Sequence, residues 1–134
     1  MPSPLTFSLT IALCLSASAL AREPSPAPVR TILERHAPTG VSGKEVLLGT
    51  AFLPAGAVIG FHTHAGDEFG YVLKGPLVWK REGEPDRILK TGDSFYNARG
   101  VVYGLATLRG SDGGAALSTW IIDKGQPLST PVAN

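Results

Sequence analysis

The chain of 134 residues has the length of one domain, and its 12 Lys and Arg nearly balance its 11 Asp and Glu, for a net charge of +1. Because both signs are scattered, the chain has neither the basic stripe of a nucleic-acid-binding protein nor a patch for an anionic membrane surface. We therefore expect neither partner. A single cysteine, Cys14, excludes a disulfide within the chain.

The N-terminal segment is apolar and uncharged. Residues 1–21 contain no charged side chain, and the run from Leu5 to Leu20 is too short for the roughly 20 residues that a membrane-spanning helix needs. Ala19-Leu20-Ala21 fits the small-x-small pattern at which signal peptidase cleaves. We interpret residues 1–21 as a secretory signal cut before Arg22, which predicts a periplasmic or secreted mature protein without a membrane anchor.

Residues 22–28 contain three prolines and predict an extended, flexible arm. Folding is expected over residues 29–128, followed by a C-terminal tail at 129–134. Short runs rich in Val, Ile, Leu and aromatic residues alternate with turn residues throughout this region, which is typical of an all-β sandwich or barrel. In chain order the runs are Arg30–Arg35, Lys44–Leu53, Glu68–Leu73, Leu77–Arg81, Arg87–Leu89, Ser94–Asn97, Val101–Leu108 and Ala115–Ile122.

Two of these runs allow a second interpretation. Arg30–His36 could form a helical turn instead of a strand. Val46–Leu53 is apolar at both parities, which fits a strand buried on two sides or one whose outer face is covered by a partner.

Two histidines and a carboxylate carry the chemistry. His62 and His64 are two residues apart, so on a strand both imidazoles point to the same face. The turn-prone interval that follows can return the carboxylate of Glu68 to that face. Two histidines and one carboxylate form a facial triad that leaves coordination positions open. His36 lies outside this cluster, and we interpret it as a surface residue or a satisfied core group and not as a ligand.

The same stretch resembles the first motif of the cupin superfamily. Gly56 is followed by five residues, His62-Thr63-His64, three residues, Glu68, six residues and Gly75, and every fixed position of that motif is matched. A second stretch, from Gly92 to Tyr103, is similar to the second cupin motif.

The second motif departs from the family pattern at three positions. Ala98 stands where cupins usually have Pro, and Thr107 stands where they have Asn. Tyr103 occupies the position that usually supplies a third histidine ligand. Three roles remain open for Tyr103: a tyrosinate ligand to a ferric ion, a hydrogen-bonding partner of a metal-bound water, or an aromatic filler in a barrel without metal.

The resemblance implies a single-domain, antiparallel jelly-roll β-barrel whose site lies inside the barrel. Around the predicted ligands His62, His64, Glu68 and Tyr103, we expect a pocket formed by aromatic and aliphatic side chains. We interpret both tryptophans as packing residues. The expected pocket residues are Phe61, Phe69, Tyr71, Phe95, Val101 and Leu105.

Two classes of function follow from the resemblance. In one, the protein binds a divalent ion (iron, manganese, nickel or zinc), and any catalysis is dioxygenase-like or isomerase-like, with Tyr103 the candidate catalytic residue. In the other, a non-catalytic barrel that has lost its metal binds or senses a small molecule. In both cases the ligand is an unidentified small molecule. Small cupins commonly form homodimers, and we expect the same here.

Overall fold

The structure is a computed structural model that describes residues 24–133. The predicted signal at residues 1–21 and the beginning of the predicted arm lie outside the described residues. Within the described part, no helix is long and apolar enough to cross a membrane. Its strands are β1 (Val29–His36), β2 (Lys44–Leu53), β3 (Val58–Thr63), β4 (Gly66–Lys74), β5 (Leu77–Arg81), β6 (Arg87–Leu89), β7 (Ser94–Asn97), β8 (Tyr103–Thr107), β9 (Gly114–Asp123) and β10 (Thr130–Pro131).

The strands form two five-stranded antiparallel sheets that face each other. The first sheet has the order β1-β2-β9-β4-β7, and the second has the order β10-β3-β8-β5-β6. Strands that are distant in sequence are neighbours, as in β2 with β9 and β3 with β8. This arrangement confirms the predicted all-β, antiparallel jelly-roll fold.

Most predicted strands form where the apolar runs lie, and β2, β5, β6 and β7 have the predicted bounds. The alternative of a helical turn at Arg30–His36 is wrong, because this segment is β1 and pairs with β2 along its length. The run Val101–Leu108 yields a shorter strand, since the Val101 amide donates to the carbonyl of Ala98 in a turn before β8. The predicted tail contains β10, which pairs with β3.

The hydrophobic core fills the space between the sheets. Strand β2 contributes Leu47, Ala51 and Leu53, which are buried against the opposite sheet. Its other face is open within the described residues, and the side chain of Phe52 is 45% exposed. The interpretation that this strand is buried on both faces is therefore wrong for the single chain. The alternative, a partner that covers the outer face, stays a prediction.

Candidate metal centre

The predicted ligands come from both sheets. His62 on β3 pairs with Tyr103 on β8 in the second sheet. Glu68 on β4 pairs with Trp120 on β9 in the first sheet. His64 lies in the connection between β3 and β4, where the chain crosses from one sheet to the other. All five side chains are buried, and alternation along the strands turns the four that lie on strands toward the barrel interior.

Backbone carbonyl groups fix the two imidazole rings. The Nδ1–H of His62 donates to the carbonyl of Gly60 at 2.8 Å, and the Nδ1–H of His64 donates to the carbonyl of Leu128 at 2.5 Å. With the Nδ1 proton held in this way, the neutral ring presents the lone pair of Nε2 to the interior. Orientation through Nδ1 is the usual arrangement of metal-ligating histidines.

The two Nε2 atoms have different surroundings. Nε2 of His62 is buried and has no hydrogen-bond partner. Nε2 of His64 accepts the indole N–H of Trp120 at 3.2 Å and lies 3.0 Å from the hydroxyl of Tyr103. A carboxylate oxygen of Glu68 lies 3.5 Å from the same nitrogen. His64 is thus the centre of a hydrogen-bonded cluster, while His62 keeps a free lone pair.

Glu68 is a buried carboxylate held in its ionised form. Burial opposes ionisation, but the hydrogen bond and the charge that His64 supplies when its ring is protonated, together with hydrogen bonds from Tyr103 and Asn97, lower the pKa of Glu68 below its ordinary value. The Nδ2 group of Asn97 donates to Oε2 of Glu68 at 2.9 Å. An anionic oxygen ligand is therefore available inside the barrel.

Two further side chains of the cluster, His62 and Tyr103, are held uncharged. Burial lowers the pKa of His62, which keeps its imidazole neutral. Burial and the charge of Glu68 raise the pKa of Tyr103 well above its ordinary value, so its phenol keeps its proton. At neutral pH the cluster therefore contains a carboxylate, a phenol and a neutral His62 ring.

The donor chemistry of these residues fits a divalent metal, with imidazole nitrogens on two side chains and a carboxylate on a third. In the structure, however, these side chains do not surround an empty metal position. Among residues 24–133, no three His, Cys, Asp or Glu side chains already converge on one metal position. In this arrangement Tyr103 and Trp120 both contact Nε2 of His64 and occupy the space in front of that nitrogen.

Three of the expected pocket residues do not face the barrel interior. Phe69 and Tyr71 alternate with Glu68 on β4, so they lie on the outer surface of the sheet and are 52% and 48% exposed. Phe61 alternates with His62 on β3 and lines a cavity that also contains Lys80. The expectation that these three aromatic side chains surround the ligands is corrected by the period of two along each strand.

The remaining pocket candidates lie in the barrel. Phe95 and Leu105 are buried in the same hydrophobic cluster as Tyr103, and Val101 packs against that cluster from the turn before β8. His36 is exposed on β1 and contacts Glu34, as expected for a surface residue.

Sequence reasoning missed two side chains that contact the cluster. Trp120 is not only a packing residue, because its indole N–H donates to His64. Asn97, which holds Glu68, was seen only as the end of a strand. Both lie at positions whose parity faces the barrel, and a polar or hydrogen-bonding side chain at such a position is the signal that could have identified them.

A small antiparallel β-barrel with an interior cluster of His and Glu is the class of protein that the fold and site define. A family model described as "Cupin domain" matches residues 49–120, and the chain belongs to this family. No curated protein sequence matches the chain significantly.

Solved structures share the fold. The DMSP lyase DddQ from Ruegeria pomeroyi DSS-3 superposes with a TM-score of 0.58 at 24% identity, over 65% of this chain and 43% of that chain. KdgF from Halomonas sp. gives a TM-score of 0.56 at 26% identity, over 74% and 83% of the two chains. A cupin-like protein from Thermotoga maritima gives 0.56 at 22% identity, over 80% and 77%. The chain spans under half the length of the DMSP lyases that it matches.

Proposed function

We propose that the protein is a small periplasmic or secreted cupin that binds one divalent metal ion through His62, His64 and Glu68. Iron, manganese, nickel and zinc all accept this combination of imidazole and carboxylate ligands. A bound ion would supply Lewis acidity or oxygen activation at an open coordination position. The side chains of the chain itself orient the ligands and exclude water.

The observation that carries this proposal is the buried Nε2 of His62, which lacks a hydrogen-bond partner. Leaving a buried polar atom unsatisfied costs about 1–3 kcal/mol, so it needs an explanation. The ring is locked through Nδ1 and cannot turn this nitrogen elsewhere without losing the bond to Gly60. A metal ion at that position would satisfy the lone pair.

For Tyr103 the surroundings favour a supporting role over direct ligation. Burial and the neighbouring Glu68 carboxylate oppose loss of the phenolic proton, so a tyrosinate ligand would form against both effects. A protonated hydroxyl beside His64 is suited to hydrogen-bond a metal-bound water or ligand. We therefore assign Tyr103 to this role.

Metal content of the purified mature protein tests the proposal. Wild type and His36→Ala, a control at an exposed histidine, are expected to contain about one divalent ion per chain by elemental analysis. His62→Ala and Glu68→Ala are expected to lose most of it, because each removes one of three ligands. Unchanged metal content in both site variants would refute the proposal. Protein should be taken from its native compartment, since cytoplasmic overexpression can load the wrong metal.

A second function is favoured by the hydrogen bonds at His64. Trp120 and Tyr103 already contact its Nε2, as expected for a barrel that binds or senses a small molecule without metal. The same elemental analysis separates the two functions, because metal-free native protein would support the second. Turnover is not required by either function; if it occurs, the resemblance suggests dioxygenase-like or isomerase-like chemistry with Tyr103 near the reacting atoms.

We further propose that the protein is a homodimer. Six apolar or aromatic side chains share the outer face of the first sheet, where the strands β2, β9, β4 and β7 lie side by side. A second copy that packs its own sheet on this face would remove them from water, as in other face-to-face sheet packings. Phe52, Phe69, Tyr71 and Tyr96 are exposed, and Leu48 and Leu117 are half-buried.

A further inference from the structure

Arg30 connects the surface to the candidate metal centre. It pairs with Ala51 across β1 and β2, and because the Ala51 side chain is buried in the core, Arg30 lies on the barrel side of the sheet edge. Its guanidinium carbon lies 5.7 Å from the ring centroid of Trp120. The indole of Trp120 in turn donates to His64. One aromatic ring therefore separates the Arg30 cation from the proposed ligands.

A cavity of about 230 Å³ opens beside Arg30. Its other walls are apolar, and they come from Pro28 and from strands β1, β2 and β3. Ala51 and Ile59 are part of, or pack against, the core cluster that contains Tyr103. The cavity thus adjoins the packing around the site. Its lining residues are Pro28, Val29, Arg30, Ala51 and Ile59.

The Arg30 guanidinium has no acidic partner within the described residues. Its side-chain hydrogen bond goes to the hydroxyl of Ser129 at 3.3 Å, whereas its neighbour Arg35 on the same strand is paired with Glu45.

We propose that Arg30 and this cavity bind the carboxylate of a small organic acid with an apolar body, presented to the His62, His64 and Glu68 site. A guanidinium binds a carboxylate through two parallel hydrogen bonds, and the apolar walls match a short hydrocarbon body. The role of the acid as the ligand of that site rests on the proposed function. Binding of the acid itself needs only the cation and the cavity.

A purely structural role is the competing explanation. Through Ser129, Arg30 joins the edge of the first sheet to the segment before β10 at the edge of the second. If Arg30 is only such a connection, replacing either partner should loosen the same edge. Neither change should then depend on the charge of an added ligand.

Butyrate is a suitable probe, with butyramide as its neutral counterpart of equal size. We expect metal-stripped mature protein to bind butyrate saturably and to bind butyramide at least tenfold more weakly. NMR signals of the two indole N–H groups, recorded at constant ionic strength, would measure both affinities. Arg30→Gln should weaken butyrate binding at least tenfold. Arg87→Gln is the matched control, since Arg87 also stacks on a tryptophan, with its guanidinium carbon 4.9 Å from the ring centroid of Trp79.

Ser129→Ala removes the connection and keeps the charge, so it should bind butyrate as wild type does. Equal binding of butyrate and butyramide, wild-type binding by Arg30→Gln, or equal losses in Ser129→Ala and Arg30→Gln would each overturn the inference. If Arg30→Gln does not fold, Arg30→Lys takes its place; it keeps the charge without the fork and should bind with an intermediate loss.

Glu68→Gln separates this inference from the proposed function. It should lose metal and still bind butyrate, while Arg30→Gln should keep metal and lose butyrate. Metal-free native protein that binds butyrate through Arg30 would contradict the metal proposal alone. Protein that holds metal in the wild type and ignores butyrate would contradict the acid-binding inference alone.

Discussion

The ionisation state of each buried side chain in the barrel depends on whether hydrogen-bond donors or charges lie beside it. Glu68 has hydrogen-bond donors around it and stays ionised, whereas His62 has only a carbonyl on Nδ1 and stays neutral. Tyr103 lies beside the Glu68 charge and keeps its proton. The Glu68 carboxylate is therefore the negative group of the cluster, and an incoming cation would compensate its charge.

Substituting Tyr103 tests its assignment as a supporting residue. Tyr103→His should tighten metal binding by roughly tenfold or more, because it adds the imidazole that the second cupin motif usually supplies. Competition titrations with a chelator would measure the change. Weaker binding in this variant would instead favour tyrosinate ligation.

A spectrum of the ferric protein provides an independent check on Tyr103. With a protonated hydroxyl beside the site, we expect no phenolate-to-iron charge-transfer band in the visible region. A band present in wild type and lost in Tyr103→Phe would contradict the supporting role and establish direct ligation.

The lowered pKa of His62 predicts a pH dependence of stability in the metal-free protein. Its folded pKa lies below the ordinary value of 6.5, so between these two values the unfolded chain binds more protons than the folded protein. The free energy of unfolding should therefore fall as pH drops below 6.5, by at most about 1.4 kcal/mol per pH unit for this one proton.

Urea unfolding between pH 7.5 and 5 would measure this slope, in a range above the titration of carboxylates. His62→Gln should remove its contribution, while His36→Gln should leave it in place. Equal slopes in wild type and His62→Gln would show that another group is responsible.

At the scale of elements, close packing across β4 holds the site together. Glu68, Gly70 and Val72 alternate along β4 and face the core, and the ring of Phe95 on β7 lies over Gly70. A Cβ atom added at Gly70 would come within 2.0 Å of that ring. A side chain there would push Phe95 away from the core cluster that it shares with Tyr103.

Gly70→Ala should destabilise the fold by about 1–3 kcal/mol or more, the usual cost of overpacking a core. Gly60→Ala is the matched control on β3, because a Cβ atom there has no neighbour within 4 Å. The free energy of unfolding in urea measures both. Similar losses in the two variants would mean that backbone effects, not the contact with Phe95, account for the change.

At the scale of the whole molecule, the outer face of the first sheet is the surface that a single chain leaves apolar. The edge strand β1 extends this face and is exposed along its whole length. An open edge strand and an apolar sheet face both favour association with another chain. The proposed homodimer would cover the face.

A charge in the middle of this face should disrupt the dimer. Wild type is expected to sediment as a dimer at micromolar concentrations, and Phe69→Lys as a monomer, because burying the unpaired ammonium group is unfavourable. Ile88→Lys, at an exposed apolar position on β6 in the other sheet, should stay dimeric. A monomeric wild type, or a dimeric Phe69→Lys, would contradict this interface.

Much of the fold could be predicted because strand signals are local. The runs at β2, β5, β6 and β7 are bounded by turn residues. These residues end a strand through their own backbone preferences, whichever strands are its neighbours in the sheet. Strand β3 is absent from the predicted apolar runs, since Gly60 and the polar residues His62 and Thr63 interrupt its apolar pattern. Strand β10 has only two residues, and its pairing with β3 depends on contacts more than 60 residues apart in the sequence.

By itself, the sequence determined the family, the barrel class and the candidate ligands, because motif spacing and strand alternation act over a few residues. Only the tertiary structure decided which aromatic side chains face inward, since Phe69 and Tyr71 share a strand with Glu68 and differ from it in parity. It also brought Trp120 and Asn97 to the site from strands far apart in the chain, and it placed Arg30 over the ring of Trp120. Such contacts depend on which strands become neighbours in the two sheets, and no local pattern records that pairing.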